Sequence, residues 1–279
     1  MNAPLRPSAA PAPTIVGALA VRRFGAGRPL VLLHGGSGSH THWIANIDRL
    51  ARGFEVVVVD LPGYGDAPRP VSRDPEAYIG ALADDLSAAM TGAGRYGLVG
   101  FSFGGTLAAA LAGRLPAGRV SALTLLGPGG FGEPEGRRLP IVPTPSAAQD
   151  PAGHRAAVAQ NLGAFMMSRV PAADDPVVDL HSANIARQRF DSRTISLADR
   201  LVADLVRVAC PLQAIWGEKD QLCVPSVAHR AGVVRAVRPD AEVHLVPGAG
   251  HWVQYEAPQA VCALIETFHD RTFSNQVPS

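Results

Sequence analysis

The stretch Gly100-Phe101-Ser102-Phe103-Gly104-Gly105 constrains this chain more than any other. It follows the apolar run Tyr96-Gly97-Leu98-Val99 and leads into the Ala- and Leu-rich segment from Thr106 to Leu115, a sequence of strand, sharp turn and helix. Glycine two residues before and two after Ser102 fits G-x-S-x-G, in which the missing side chains let strand and helix cross closely while the serine takes a strained backbone angle. Ser102 then stands at the tip of the turn. The helix behind it directs its unpaired N–H groups and positive end at any oxygen attached to the atom that Ser102 attacks.

The rest of the chain supplies the sheet that such a turn needs. Val16, Leu19, Val21 and Phe24 alternate loosely and predict one or two early edge strands, closed by Gly25-Ala26-Gly27. Leu30-Val31-Leu32-Leu33 is continuously apolar, as in a strand buried on both faces, and ends in His34-Gly35-Gly36-Ser37-Gly38-Ser39. Trp43, Ile44, Ile47 and Leu50 recur at helical spacing after the caps Ser39 and Thr41, and Phe54 to Val59 is a second buried strand. A helix from Pro75 to Met90 comes next, with Tyr78, Leu82 and Leu86 on one face. Beyond the elbow, strands are expected at Val120 to Leu126, Pro211 to Trp216 and Glu242 to Val246. Helices are expected at Pro225 to Val237 and Ala257 to Phe268.

This alternation predicts an α/β protein with a mostly parallel central sheet flanked by helices. The rhythm breaks after the sixth strand. A Gly/Pro-rich entry precedes helical stretches at Ala156 to Met167, Val177 to Phe190 and Leu197 to Val208, which predicts a helical lid over residues 129–208. The core then consists of residues 15–128 and 209–273, and residues 1–14 form a disordered tail. Deleting the lid is expected to leave the sheet domain folded.

A formal charge of +1 with 18% charged residues points away from nucleic acid and anionic membranes and toward a small-molecule substrate. No run reaches the roughly 18 apolar residues of a membrane span. Cys210, Cys223 and Cys262 are far apart and match neither a disulfide framework nor a metal-ligand spacing. No metal, cofactor or secretion signal is expected, and the compartment is taken as the cytoplasm; a homo-oligomer is left open.

The elbow, the His-Gly-Gly loop and the chain order Ser, Asp, His together resemble the α/β-hydrolase fold from about Ile15 to Phe273. The resemblance implies Ser102 as nucleophile, Asp220 in Gly217-Glu218-Lys219-Asp220 as the acid, and His251 in Gly248-Ala249-Gly250-His251-Trp252 as the base. A serine hydroxyl needs an imidazole to take its proton, and the imidazolium needs a fixed carboxylate. Glu218 is the rival acid, and Asp60 is read as a turn-former. The oxyanion hole is expected from the N–H of Phe103 and that of Gly36, with Ser37 as the alternative to Gly36.

Serine at the elbow argues against the haloalkane dehalogenase and epoxide hydrolase branches, which use aspartate there. Leu33-His34-Gly35-Gly36, Leu126-Gly127-Pro128-Gly129-Gly130 and Gly250-His251-Trp252-Val253-Gln254-Tyr255-Glu256 are similar to the meta-cleavage product hydrolases, which cut a C–C bond. That resemblance implies an asparagine before the nucleophile, where this chain has Phe101, and a lid arginine on the substrate carboxylate, for which Arg187 or Arg189 could serve. Phe101 and Trp252 are expected to touch substrate; His181 and Asn184 are read as lying on an exposed helix face, with a place facing the substrate as the alternative. The activities implied are ester or C–C hydrolysis; a non-catalytic ligand-binding protein on the same fold is the reading from another class.

Overall fold

The computed structural model describes residues 10–134 and 139–274. Most of the expected 1–14 tail, residues 1–9, lies outside that range, and Thr14 already opens the first strand. Among the described residues, eight strands form one sheet: β1 (Thr14–Val16), β2 (Leu19–Phe24), β3 (Arg28–Leu33), β4 (Phe54–Asp60), β5 (Tyr96–Phe101), β6 (Val120–Leu126), β7 (Leu212–Gly217) and β8 (Glu242–Val246). Their order across the sheet is β1-β2-β4-β3-β5-β6-β7-β8. The pairs β1/β2 and β2/β4 are antiparallel and every other pair is parallel.

The helices are α1 (Ile47–Leu50), α2 (Pro75–Ala89), α3 (Phe103–Arg114), α4 (Pro151–Phe165), α5 (Pro176–Ala186), α6 (Arg193–Ser196), α7 (Leu201–Val206), α8 (Val227–Val237), α9 (Val253–Glu256) and α10 (Pro258–Ser274). None of them is long and apolar enough to cross a membrane.

The continuous apolar strands are buried on both faces because helices cover both. Successive side chains of a strand point to opposite sides, so Val31 and Leu33 enter a core with Leu82, Leu107 and Leu111, whereas Leu30 and Leu32 enter a second with Trp43, Val261 and Ile265. Of the two early strands, only β1 lies at an edge; β2, also expected at an edge, runs between β1 and β4. The helix expected across Trp43 to Leu50 is instead a 3₁₀ turn (His40–Trp43) and the single turn α1. Ser39 caps the 3₁₀ turn through the Thr41 N–H.

Helices α4 to α7 occupy the segment between β6 and β7, where helices were expected with different bounds. This segment is continuous with the core. Phe190, Ile195, Leu201 and Leu205 join the cluster of α3, and Val158, Leu162, Val177 and Val178 join the one on the other side.

Candidate active site

Ser102 lies between the end of β5 and the start of α3 with φ 53° and ψ −114°, a conformation that side chains disfavour. Close approach on both sides maintains it. A Cβ on Gly100 would fall 2.2 Å from the Gly104 carbonyl oxygen, and one on Gly104 would fall 2.5 Å from that of Leu33, so neither position tolerates a side chain without a backbone shift. The Ser102 N–H donates to the Leu126 carbonyl (2.8 Å), and its own carbonyl accepts from the amides of Gly105 (2.9 Å) and Thr106 (3.1 Å). The turn is therefore pinned to β6 and to the first turn of α3.

His251 sits in the loop between β8 and α9, and Asp220 in the loop after β7. His251 Nδ1 lies 2.8 Å from Asp220 Oδ2, with both side chains buried. The other Asp220 oxygen accepts from the Leu222 N–H (2.9 Å), which fixes the carboxylate. His251 Nε2 is buried with no protein partner. Gly127 explains how the pair fits against β6: it has φ 47°, and a Cβ there would come within 3.1 Å of both Asp220 Oδ2 and His251 Nδ1. Glu218 is exposed and accepts from the Gly248 N–H (3.1 Å), away from the imidazole.

The loop after β3 is held by two buried histidines. His34 Nε2 accepts from the Leu61 N–H (3.0 Å) and its Nδ1 reaches the Gly35 carbonyl (2.7 Å), whereas His42 Nδ1 accepts from the Gly35 N–H (3.2 Å). Burial lowers the His34 pKa to about 4, against the opposing pull of Asp60, and burial also holds His42 well below its usual value. Both rings are neutral near pH 7. Ser37 has φ 51° and donates through Oγ to Gln188 Oε1 (2.8 Å), which ties the loop to the segment between α5 and α6.

A cavity of about 780 Å³ is lined by Ser102, His251, Asp220, Gly36, Phe103 and Ser192, among others. The structure thus brings five expected site residues together. It does not bring the two expected substrate contacts there. Phe101 and Trp252 are fully buried and off the cavity wall. Phe101 packs between the rings of His42 (5.4 Å) and His251 (5.0 Å), and Trp252 donates its indole N–H to the His42 carbonyl (3.0 Å). Phe101 is buried because β5 runs through the middle of the sheet, and Trp252 because it sits ahead of α9 in the apolar cluster with Trp43 and Val261.

Other expectations change for similar reasons. His181 is wholly buried with neither ring nitrogen partnered, and burial lowers its pKa to about 4. Asn184 bonds Ser39 and Thr41, so neither residue faces solvent. Asp60 is more than a turn-former. It is fully buried and pairs with Arg22 (3.0 Å) and His40 (3.0 Å). Burial pushes its pKa up, but the opposing interactions, led by the His40 hydrogen bond, win and hold the carboxyl well below the usual range. Arg187 pairs with Asp66, and Arg189 donates to the carbonyls of Gly65 and Ala67.

Three residues at the site had no reading from sequence alone: His42, Gln188 and Ser192. His42 followed no motif, and the other two reach the loop after β3 from some 150 residues away, so no local signal existed.

A family model described as the alpha/beta hydrolase family matches residues 30–264. The dihydrolipoyllysine-residue acetyltransferase component of the acetoin cleaving system of Pseudomonas putida is 31% identical over 253 residues, 84% of this chain, and the chain spans 61% of that protein's length. A 2-hydroxy-6-oxononadienedioate/2-hydroxy-6-oxononatrienedioate hydrolase of Burkholderia vietnamiensis is 30% identical over 246 residues, covering 81% of this chain and 82% of that one. Among solved structures, a thermophilic esterase from Thermogutta terrifontis superposes with a TM-score of 0.64 at 21% identity, covering 91% of this chain and 93% of that one, a likeness of fold.

Proposed function

The chain belongs to the alpha/beta hydrolase family, and from that premise we propose that it is a serine hydrolase that cleaves small, largely apolar carboxylic esters. Ser102 is the nucleophile, His251 the general base and then acid, and Asp220 the carboxylate that orients the imidazole. The amides of Gly36 and Phe103 stabilise the oxyanion. The observation that carries this reading is the buried 2.8 Å contact from His251 Nδ1 to Asp220 Oδ2, which leaves Nε2 unpartnered on a ring that lines the same cavity as Ser102.

The chemistry follows from that arrangement. With Nδ1–H donating to Asp220, the neutral ring keeps its lone pair on Nε2 for the Ser102 proton as Oγ attacks the ester carbonyl. The carbonyl oxygen becomes an oxyanion beside the start of α3, where unpaired amide N–H groups point outward. Collapse expels the alkoxide, which takes the proton from Nε2–H, and a water deprotonated by the same nitrogen releases the acid from the acyl-enzyme. Helices α4 to α7 act as a lid that walls this cavity from the open edge of the sheet.

Esters are put ahead of C–C substrates because the asparagine that the C–C hydrolases carry before the nucleophile is absent, its place taken by Phe101, which is buried off the cavity wall. Arg187 pairs with Asp66 at the surface, and Arg189, although it borders the cavity, donates to the carbonyls of Gly65 and Ala67. The likeness to the dienoate hydrolase of Burkholderia vietnamiensis supports the C–C reading as the second one. A non-catalytic binding protein is disfavoured by the complete Ser, His, Asp set.

The test is a panel of p-nitrophenyl esters of graded chain length beside a dienone acid, with phosphonofluoridate labelling of the protein. Faster turnover of the short and medium esters, an adduct on Ser102, and loss of at least about a hundredfold in rate in Ser102→Ala are expected. Preferred turnover of the dienone acid would favour the second reading, and a protein that neither labels nor turns over would favour the binding one.

A further inference from the structure

We propose that the Ser192 hydroxyl is a third donor to the oxyanion, brought to the hole by the segment between β6 and β7. The proposal rests on the reading of Ser102 as nucleophile and deepens it.

Ser192 occupies the cap position ahead of α6, where a serine hydroxyl ordinarily accepts a helix N–H, yet its side chain caps nothing. The hydroxyl is turned instead toward the loop after β3. A Cβ built on Gly36 would meet Ser192 Oγ at 2.4 Å and Phe103 Cβ at 4.0 Å, so the hydroxyl lies against Gly36 on the side that faces Phe103. Those two residues carry the proposed amide donors. Ser192 is only 9% exposed and lines the cavity shared by Ser102 and His251. Glycine at position 36 is also what admits the hydroxyl, since any side chain there would displace it.

The approach is held from three sides. Ser37 Oγ donates to Gln188 Oε1 (2.8 Å), Gln188 Nε2 donates to the Phe190 carbonyl (2.9 Å), and the Arg189 N–H donates to the Gly63 carbonyl (2.8 Å). The buried Tyr64 hydroxyl donates to the Phe190 carbonyl as well (3.0 Å). Hydrogen bonds to an ionised acceptor are roughly twice as strong as neutral ones, so an oxyanion forming beside Gly36 is the strongest acceptor open to the Ser192 proton. The bond is made only when charge develops, which is the condition for a rate effect. It also makes a complete hole conditional on a docked insertion.

Ser192→Ala and Ser192→Thr, assayed with p-nitrophenyl butyrate and an alkyl boronic acid, test this. The boronate adduct on Ser102 places a charged oxygen in the hole. In Ser192→Ala, kcat is expected to fall about ten- to a hundredfold with KM changed by less than about threefold, and boronate affinity to weaken by a similar factor. The thermal midpoint should stay where it is, and Ser192→Thr, which keeps a hydroxyl, should recover most of the rate. An unchanged kcat, a loss confined to KM, or unaltered boronate affinity would overturn the proposal. Phosphonofluoridate labelling separates the two readings: no adduct on Ser102 removes the nucleophile assignment itself, whereas normal labelling with a wild-type rate in Ser192→Ala removes only the third donor.

Discussion

Asp220 Oδ2 and His251 Nδ1 are 2.8 Å apart, with the side chains 1% and 4% exposed, although the two residues sit in different loops at the ends of neighbouring parallel strands. The pairing of β7 and β8 sets that distance. Because the carboxylate accepts Nδ1–H, replacing it with an amide that can donate favours the tautomer with its proton on Nε2, the wrong one for a base. Asp220→Asn is expected to lower kcat by at least about a thousandfold with little change in far-UV circular dichroism. Glu218→Gln, which alters only an exposed contact to the Gly248 amide, should leave the rate within about twofold. A rate loss in Glu218→Gln instead of Asp220→Asn would exchange the two roles.

Phe101 tests whether the position before Ser102 selects substrate or only packs. Its ring is fully buried between His42 and His251 and off the cavity wall, so an asparagine there removes core contacts and adds an amide without a ready partner. Phe101→Asn is expected to cost at least about 3 kcal/mol and to lower ester and dienone-acid kcat/KM by similar factors. A changed ratio of the two constants at an unchanged thermal midpoint would show that Phe101 meets substrate.

Removal of residues 129–208 is a direct test of how separable the insertion is. The sequence reading expects a folded remainder, but Phe190, Ile195, Leu201 and Leu205 share an apolar cluster with Leu107 and Leu111 of α3. Each such side chain contributes about 1.5 to 3 kcal/mol on burial, and a domain has only about 5 to 15 kcal/mol in hand. The shortened chain is expected to aggregate or lack near-UV dichroism; a monomer with a cooperative melt would refute this.

Acid sensitivity follows from buried neutral imidazoles. Burial lowers His34 and His181 to about 4 and His269 to about 3, and holds His42 well below its usual value. With folded values below the unfolded value of about 6.5, the unfolded chain binds protons first as pH falls. Their contribution is thus intact above about pH 6.5 and declines toward about pH 4, at roughly 1.4 kcal/mol per pH unit for each fully depressed imidazole. Urea midpoints measured at about pH 7.5, 6 and 5 should drop steeply over the last two. A flat series would mean that these rings are hydrated.

How much of this was legible in the sequence depended on whether the physics was local. Ser102 and its flanking glycines could be read directly, because a strand-to-helix turn demands small residues at fixed offsets, and the apolar strands could be read because burial on both faces leaves no polar alternation. Asp220 and His251 became candidates through chain order and family resemblance. Their 2.8 Å contact required the register of β7 against β8. Tertiary structure alone decided that Phe101 belongs to the core, that Asp60 is a buried ion-pair partner, and that Ser192 lies against Gly36. Each of those depends on which distant segment fills the neighbouring space, and the sequence around a residue carries no record of that.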